Sequence, residues 1–159
     1  NGAKRVAILD VDFHHGNGTQ SIFYARDDVF FTSLHGHPEE EFPYYLGYAD
    51  ETGAGSGAGY NLNLPFQPGT HYQTWAEGLL HAMQAVTKVR TEALVISLGV
   101  DTYKNDPISS FKFESDDFLD MGAKIAALNL PTVFVMEGGY AVDEIGVNTV
   151  NTLRGFLDA

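Results

Sequence analysis

The sequence predicts an α/β fold with a parallel sheet, and two observations support this prediction. Four short runs rich in Val, Ile, Leu and Phe are typical of buried strands, at residues 6–11, 29–34, 93–100 and 132–136. Their nearly continuous apolar character indicates strands that are covered on both faces, as in a parallel sheet. Helical patterns lie between and after these runs, and strands that alternate with helices are typical of α/β proteins.

Three amphipathic helices follow from the spacing of apolar residues, at residues 71–90, after Ser115, and at residues 145–157. Ser115 is the expected N-cap of the second helix, because two aspartates follow it in the first turn. The expected inward positions are Trp75, Leu79, Leu80, Met83 and Val86 in the first helix, Phe118, Leu119, Gly122 and Ile125 in the second, and Ile145, Val150, Leu153 and Phe156 in the third.

Residues 35–69 depart from this alternation. The segment is rich in Gly, Pro, Tyr and Glu, and only residues 60–64 are typical of a strand. A loop of this length is usually functional or disordered. Because the segment contains Phe42, Tyr44, Tyr45 and Tyr48, we expect a packed functional loop.

Composition excludes several classes of function. The chain of 159 residues is long enough for one domain with a hydrophobic core. It has no cysteine, which excludes disulfides, thiolate metal sites and cysteine nucleophiles. No apolar run approaches the roughly 20 residues of a membrane span. The net charge of -12 disfavours a nucleic-acid partner and would attract a cationic substrate.

The first predicted strand runs directly into Asp10, Asp12 and His14. In an extended backbone alternate residues face the same way, so these three side chains are expected on one side of the strand's carboxyl end. Two carboxylates and an imidazole in that arrangement form a cation site or a hydrogen-bonded relay. The structural alternative is that they cap the following helix and bond to loop amides.

Two other strand ends carry polar side chains. Asp101 follows the third strand, and Tyr140 follows the fourth after a pair of glycines that permit a sharp turn. In open α/β sheets, ligand sites form outside the carboxyl ends of the strands, so we expect Asp12, His14, Asp101 and Tyr140 at one crevice. Taken singly, Asp101 could instead cap a helix and Tyr140 could pack in the core.

Two carboxylates and one histidine are three protein ligands, which leaves a coordination position open, as in catalytic zinc sites. Fe²⁺ or Mn²⁺ would accept the same ligands. An open position lets the metal polarise a carbonyl and activate water. A tyrosine hydroxyl nearby could donate a hydrogen bond to the oxyanion that develops during amide hydrolysis.

Four segments resemble the histone deacetylase and acetylpolyamine amidohydrolase superfamily, namely residues 10–20, 33–35, 98–102 and 137–140. Residues 42–50, 106–109 and 137–141 are most similar to the bacterial acetylpolyamine amidohydrolases. The resemblance implies a three-layer, parallel-sheet fold of the arginase/deacetylase type. Residues 1–159 would be the C-terminal portion of a single deacetylase domain, without its N-terminal strands.

The resemblance also implies roles for individual residues. Zn²⁺ would be bound by Asp12, His14 and Asp101, with Tyr140 as the electrophilic catalytic residue. A structural K⁺ would be bound by Asp10, Asp12, His14, Ser33 and Leu34, and a second cation by Phe23, Val29 and Tyr60, although Arg26 stands where the family often has a threonine. Phe42, Gly138 and Gly139 would line the substrate channel, and His15 and Asn17 would lie behind the metal ligands.

The implied function is a zinc-dependent hydrolase that removes acetyl groups from a cationic amine such as an acetylpolyamine or acetyl-lysine. A homodimer and a cytoplasmic location are further expectations. The family's catalytic histidine pair lies in an N-terminal half, so we expect this chain alone to be inactive. One alternative is a metal-binding lobe without turnover. Another is a binuclear manganese hydrolase in which Asp10 binds the second metal, although Tyr103 stands where a further carboxylate would be needed.

Overall fold

A single parallel sheet of five strands forms the framework of the computed structural model, which describes residues 2–159. Its strands are β1 (Val6–Asp10), β2 (Val29–Gly36), β3 (Asn61–Phe66), β4 (Ala93–Leu98) and β5 (Thr132–Met136). Its helices are α1 (Asn17–Phe23), α2 (Tyr72–Lys88), α3 (Ser115–Ala126) and α4 (Ile145–Leu157). The strand order is β3–β2–β1–β4–β5, so β1 lies at the centre. The predicted α/β class is confirmed, and the single-domain assignment stays a prediction.

The predicted strands are all present, with shifted ends. β2 continues two residues past the predicted end, to Gly36, and β3 begins at Asn61. β1 and β4 end earlier than predicted, at Asp10 and Leu98. The residues that follow them therefore leave the sheet and cross its carboxyl end, which is where the candidate site lies.

The hydrophobic core lies on one face of the sheet. Ala7 and Leu9 of β1 are fully buried there, together with Ile96 of β4, and they pack with Trp75 and Leu79 of α2. α3 and α4 extend this layer towards β5, where the Phe134 and Phe156 rings stack edge to face at 5.1 Å.

The opposite face of the sheet is only partly covered. Ile8, Val95 and Val133 are neighbours in register on this face, and Val133 is 60% exposed. Among residues 2–159, α1 packs on this side against β2, and no helix packs against β5 here. The prediction that every strand is covered on both faces is therefore wrong for β5.

Helix α1 is not among the three predicted helices. Gln20 is its one buried residue, and Ile22 is exposed. A helix of seven residues with no apolar stripe has no periodicity to detect. The only side chain that anchors α1 in the interior is therefore the polar Gln20, which also takes part in the hydrogen bonds of the candidate site.

Helices α2 and α3 are confirmed, with corrections to their details. Leu80 and Leu119 were expected inward but are exposed, because each lies at the edge of its apolar stripe. The N-cap of α3 is Glu114 instead of Ser115, which is the first helical residue. Glu114 and Asp117 form a capping box, in which the Asp117 carboxylate accepts the Glu114 N–H at 2.7 Å.

Helix α4 is confirmed, and Ile145 and Phe156 pack against the core as predicted, but the rest of its inner face differs from the prediction. Val150 is exposed, and the fully buried positions are Asn148 and Thr152, with Gly155 one turn on. A Cβ on Gly155 would overlap the Leu119 carbonyl of α3, so the two backbones touch there. Large side chains cannot occupy this crossing, which explains the wrong inward assignment of Val150. None of the helices within residues 2–159 combines the length and apolarity that a bilayer crossing demands.

Candidate metal centre

Three of the predicted ligands meet at the carboxyl end of the sheet. Asp101 is fully buried, Asp12 is buried and His14 is half-buried. His14 Nδ1 lies 3.0 Å from Asp101 Oδ2 and 3.3 Å from Asp12 Oδ1. One ligand atom from each residue lies within 4.8 Å of the others, so a single ion could contact all three.

Backbone amides fix the two carboxylates. Asp101 Oδ1 accepts the Phe13 N–H at 2.9 Å, and Asp12 Oδ1 accepts the His14 N–H at 2.7 Å. Asp12 Oδ2 accepts the Gly138 N–H at 2.8 Å, which connects the turn after β5 to the centre. A Cβ on Gly138 would lie 2.5 Å from Asp12 Oδ2 and 2.6 Å from Asp101 Oδ2. Only glycine therefore lets this turn approach so closely.

The electrostatics of the centre favour a cation. Burial alone would lower the pKa of His14, but its hydrogen bonds to Asp101 and Asp12 outweigh burial and raise the pKa to about 10. Burial raises the pKa of Asp101 to about 6. The pKa of Asp12 is also pushed up by burial, but its hydrogen bonds to His14 and to Gly138 lower it overall. A proton on His14 thus compensates the carboxylates, and a divalent cation could replace that proton.

The centre opens into a cleft of about 690 Å³. Asp12, His14, Phe42, Gly138 and Tyr140 all line it. The Phe42 ring is exposed, with its centroid 6.3 Å from that of His14. Tyr140 is 46% exposed, and the pKa of its hydroxyl is raised, first by partial burial and then by Asp101, Asp12 and Asp106.

Other cleft residues differ from the prediction. Gly139 does not line the cleft but forms the turn, with φ of 155°, and a Cβ at this position would lie 2.7 Å from Val100 Cγ2. Lining residues that were not predicted are Gly16, Thr19, Glu41, Tyr44, Ser97, Ile108, Met136 and Glu137. The residue pattern offers no signal for most of these, because they come from loops that only the fold brings together.

Asp10 lies apart from the three ligands, although it also lines the cleft. Its Oδ1 accepts the Asp12 N–H at 3.1 Å, and burial raises the pKa of its carboxyl well above the usual value. Because β1 ends at Asp10, the expected alternation does not continue to Asp12 and His14. Asp10 is therefore not a member of the group that could hold the divalent ion.

The residues predicted to hold a monovalent cation lie beside Asp10. Ser33 pairs with Asp10 in the β1–β2 register, and both Ser33 and Leu34 are fully buried. His35 Nε2 lies 2.9 Å from the Gly47 carbonyl, which can only accept, so Nε2 is the donor. In the neutral ring Nδ1 then accepts from the Ser33 hydroxyl at 2.8 Å, and the Ser33 oxygen keeps its lone pairs. Occupancy by K⁺ stays a prediction.

The residues predicted for a second cation lie at the far end of β2. The Phe23 carbonyl accepts the Arg26 N–H at 2.9 Å, and the Tyr60 carbonyl accepts the Phe31 N–H at 2.9 Å. Val29 is the first residue of β2. The Arg26 side chain pairs with Asp28 at the surface. A cation here also stays a prediction.

A network of buried polar side chains begins at His15, the residue that follows the predicted ligand His14. His15 Nε2 lies 3.1 Å from Gln20 Oε1, which also accepts from Asn61 Nδ2 at 2.9 Å and Asn63 Nδ2 at 2.8 Å. Burial lowers the pKa of His15, so its ring is neutral at pH 7. The period-two spacing of Asn61 and Asn63 in β3 is the sequence signal that could have revealed this network. Asn17 instead lies exposed at the start of α1.

The network continues to the loop that carries Phe42. Gln20 Nε2 donates to Glu51, and the Glu51 carboxylate accepts the N–H groups of Gly47 and Tyr48 at 3.1 Å each. We call residues 42–48 the aromatic loop. Glu51 and Gln20 thus connect the aromatic loop to α1 and β3, a connection that the residue pattern does not reveal.

The comparison with protein families decides the membership of this chain. The family described as the histone deacetylase domain matches residues 1–156. The chain belongs to the histone deacetylase domain family. This confirms the resemblance found in the sequence, and the histone deacetylase domain accounts for nearly every residue of the chain.

Individual members of the histone deacetylase domain family are also similar. The chain is 59% identical over 155 residues to acetylpolyamine amidohydrolase 2 of Pseudomonas aeruginosa, covering 98% of this chain and 45% of that protein. It is 58% identical over 154 residues to the acetylpolyamine amidohydrolase of Mycoplana ramosa, covering 97% and 45%. The chain therefore spans less than half the length of these relatives.

Solved structures agree with the fold. The acetylpolyamine aminohydrolase from Burkholderia pseudomallei superposes with a TM-score of 0.95 at 44% identity, over 97% of this chain and 45% of that one. The histone deacetylase Clr3 superposes with a TM-score of 0.92 at 27% identity, over 98% and 27%. The parallel-sheet deacetylase-type fold is confirmed.

Proposed function

We propose that the protein containing this chain removes acetyl groups from a cationic amine by metal-dependent amide hydrolysis. The observation that carries the proposal is the group of Asp12, His14 and Asp101, which opens into a cleft that Tyr140 also lines. The similarity to acetylpolyamine amidohydrolases over nearly the whole chain supports it.

Zn²⁺ is the proposed ion, and the donor set fits it. Two carboxylates and one imidazole would be three protein ligands to one ion, as in catalytic zinc sites, and Fe²⁺ or Mn²⁺ would accept the same donors. When bound, the ion would polarise the amide carbonyl and activate water. K⁺ beside Asp10 and Ser33 is a further proposal, supported by a buried carboxylate that has no cationic partner among residues 2–159.

The residues of the chain would perform the remaining steps. Tyrosine is protonated at neutral pH, so the Tyr140 hydroxyl can donate a hydrogen bond to the developing oxyanion. Gly138 fixes Asp12 and keeps the turn before Tyr140 against the centre. The exposed Phe42 ring would pack on the methylene chain of the substrate.

The charge of the cleft supports a cationic substrate. Glu41 and Glu137 line the cleft and would attract the free ammonium groups of an acetylated polyamine. Because the most similar relatives described above are named for acetylpolyamines, we favour a polyamine over acetyl-lysine. A homodimer and a cytoplasmic location stay predictions.

The test measures acetate release from N-acetylputrescine and from an acetyl-lysine peptide by the complete protein that contains this chain. Metal-free protein should be inactive, and Zn²⁺ should restore acetate release, faster with the polyamine. Equal acetate release with and without metal would contradict the proposal. Stoichiometric metal binding without acetate release from either substrate would identify a metal-binding lobe.

A further inference from the structure

Asp106 is a buried carboxylate to which the proposed mechanism gives no part. It lies in the loop between β4 and α3 and is 6% exposed. Its Oδ2 accepts the Tyr140 N–H at 2.7 Å and the Ala141 N–H at 3.2 Å. Its Oδ1 accepts the Ile108 N–H at 3.0 Å. A carboxylate that accepts three backbone amides makes stronger hydrogen bonds than a neutral acceptor would.

The turn that carries Tyr140 depends on such anchors. Two glycines precede Tyr140, and glycine leaves the backbone more conformational freedom than any other residue. Gly138 is fixed on both sides, because its N–H donates to Asp12 and its carbonyl accepts the Val100 N–H at 2.8 Å. Beyond Gly139, the first hydrogen bond that fixes the backbone is the one from Tyr140 to Asp106.

The Tyr140 side chain has no anchor of its own. It is half-exposed, and within residues 2–159 its hydroxyl makes no hydrogen bond. The position of the ring therefore depends on the backbone that carries it. The same carboxylate also holds Ile108, which lines the cleft beside Tyr140. Asp106 thus holds the backbone at two residues that line the cleft, Ile108 and Tyr140.

We infer that Asp106 is a positioning residue for Tyr140, whose carboxylate fixes the turn so that the hydroxyl is directed at the metal centre. This inference rests on the proposed function. Asp106 is neither one of the three metal-binding residues nor one of the residues that line the cleft, so its effect on the reaction passes through the backbone that it holds, above all that of Tyr140.

The kinetic test compares Asp106→Asn in two backgrounds of the complete protein. In the unmodified background, kcat should fall about tenfold or more with KM within about twofold, as expected when one hydrogen bond to a charged group is lost. In the Tyr140→Phe background, Asp106→Asn should cause no further loss, because the group on which it acts is gone. The same fold-loss in both backgrounds would overturn the inference.

A second measurement does not depend on activity. Amide hydrogen exchange at Tyr140 and Ala141 should accelerate in Asp106→Asn, while exchange in β1 and the metal content stay unchanged. Asp116→Asn is the matched control, because it makes the same chemical change at an exposed position in α3. Unchanged exchange at Tyr140 would refute the inference, whereas inactivity of the unmodified protein towards acetylated amines would refute the proposed function alone.

Discussion

At the scale of single residues, the metal centre depends on its two aspartates. Asp12→Ala or Asp101→Ala should remove the bound metal, because the two remaining ligands hold the ion poorly. Metal analysis of folded protein should give about one equivalent in the unmodified chain and almost none in either variant. Asp143→Ala, at an exposed aspartate before α4, is the control and should keep its metal. Full occupancy in the double variant Asp12→Ala/Asp101→Ala would contradict the assignment.

Tyr140 is the second single residue whose role can be tested. Tyr140→Phe removes one hydroxyl from a half-exposed side chain, so the fold should be unaffected. If the hydroxyl stabilises the oxyanion, the loss falls on the transition state, and kcat should drop roughly a hundredfold or more with little change in KM. Steady-state kinetics of the complete protein decide this, and an unchanged kcat would show that Tyr140 only packs.

At the scale of elements, the aromatic loop depends on Glu51. Tyr44 and Tyr45 adopt left-handed backbone conformations, with φ of 52° and 58°, which only a well-anchored loop can maintain. Glu51→Gln should loosen the loop, because the amide cannot accept from both Gly47 and Tyr48 as well as from Gln20. We expect faster proteolysis within residues 42–48 and a higher KM. Glu39→Gln, at an exposed glutamate, is the control, and equal proteolysis of both variants would contradict the role of Glu51.

The crossing of α3 and α4 is a second element with a testable constraint. Gly155→Ala would force a methyl group into the backbone of α3 and should lower the free energy of unfolding by about 1–3 kcal/mol. Gly146→Ala in the same helix has nothing within 4 Å of the added methyl group and should be neutral or stabilising. Denaturant titration compares the two variants. Equal stability would show that the crossing tolerates a side chain.

At the scale of the whole molecule, we expect that the histidines of this chain do not supply the general base. His35 bonds to Ser33 and Gly47, His15 bonds to Gln20, and His14 belongs to the metal centre. His37, His71 and His81 do not line the cleft, whereas His15 lines it and its Nδ1 makes no hydrogen bond within residues 2–159. General base catalysis typically contributes about a hundredfold to ten-thousandfold, so the 159-residue chain alone should not be a competent deacetylase.

The measurement compares acetate release by this chain and by the complete protein, per bound metal. A large deficit in the chain is the expected result. Equal rates would mean that His15, His35 or His37 serves as the base. The exposed apolar face around Val133 should also make the chain alone prone to association, which sedimentation would detect.

Local patterns in the sequence are sufficient to predict the strands, the class of fold and the four residues of the candidate site. Continuous apolar runs are a local signal, and the rule that sites form at the carboxyl ends of parallel strands needs only the ends of those runs. Asp12, His14, Asp101 and Tyr140 each stand at such an end, so their meeting follows from the strands alone.

The hydrogen bonds that support that site and the packing of helix α4 depend on contacts between residues that are far apart in the sequence. Asp106 and Tyr140 lie 34 residues apart, and Gln20 and Asn61 lie 41 apart, so no local pattern marks their hydrogen bonds. Helix α4 turns small and polar side chains inward because Gly155 meets the backbone of α3. Hydrophobic periodicity indicates which side chains are buried. Contacts between backbones and buried hydrogen bonds depend instead on which elements the fold brings together.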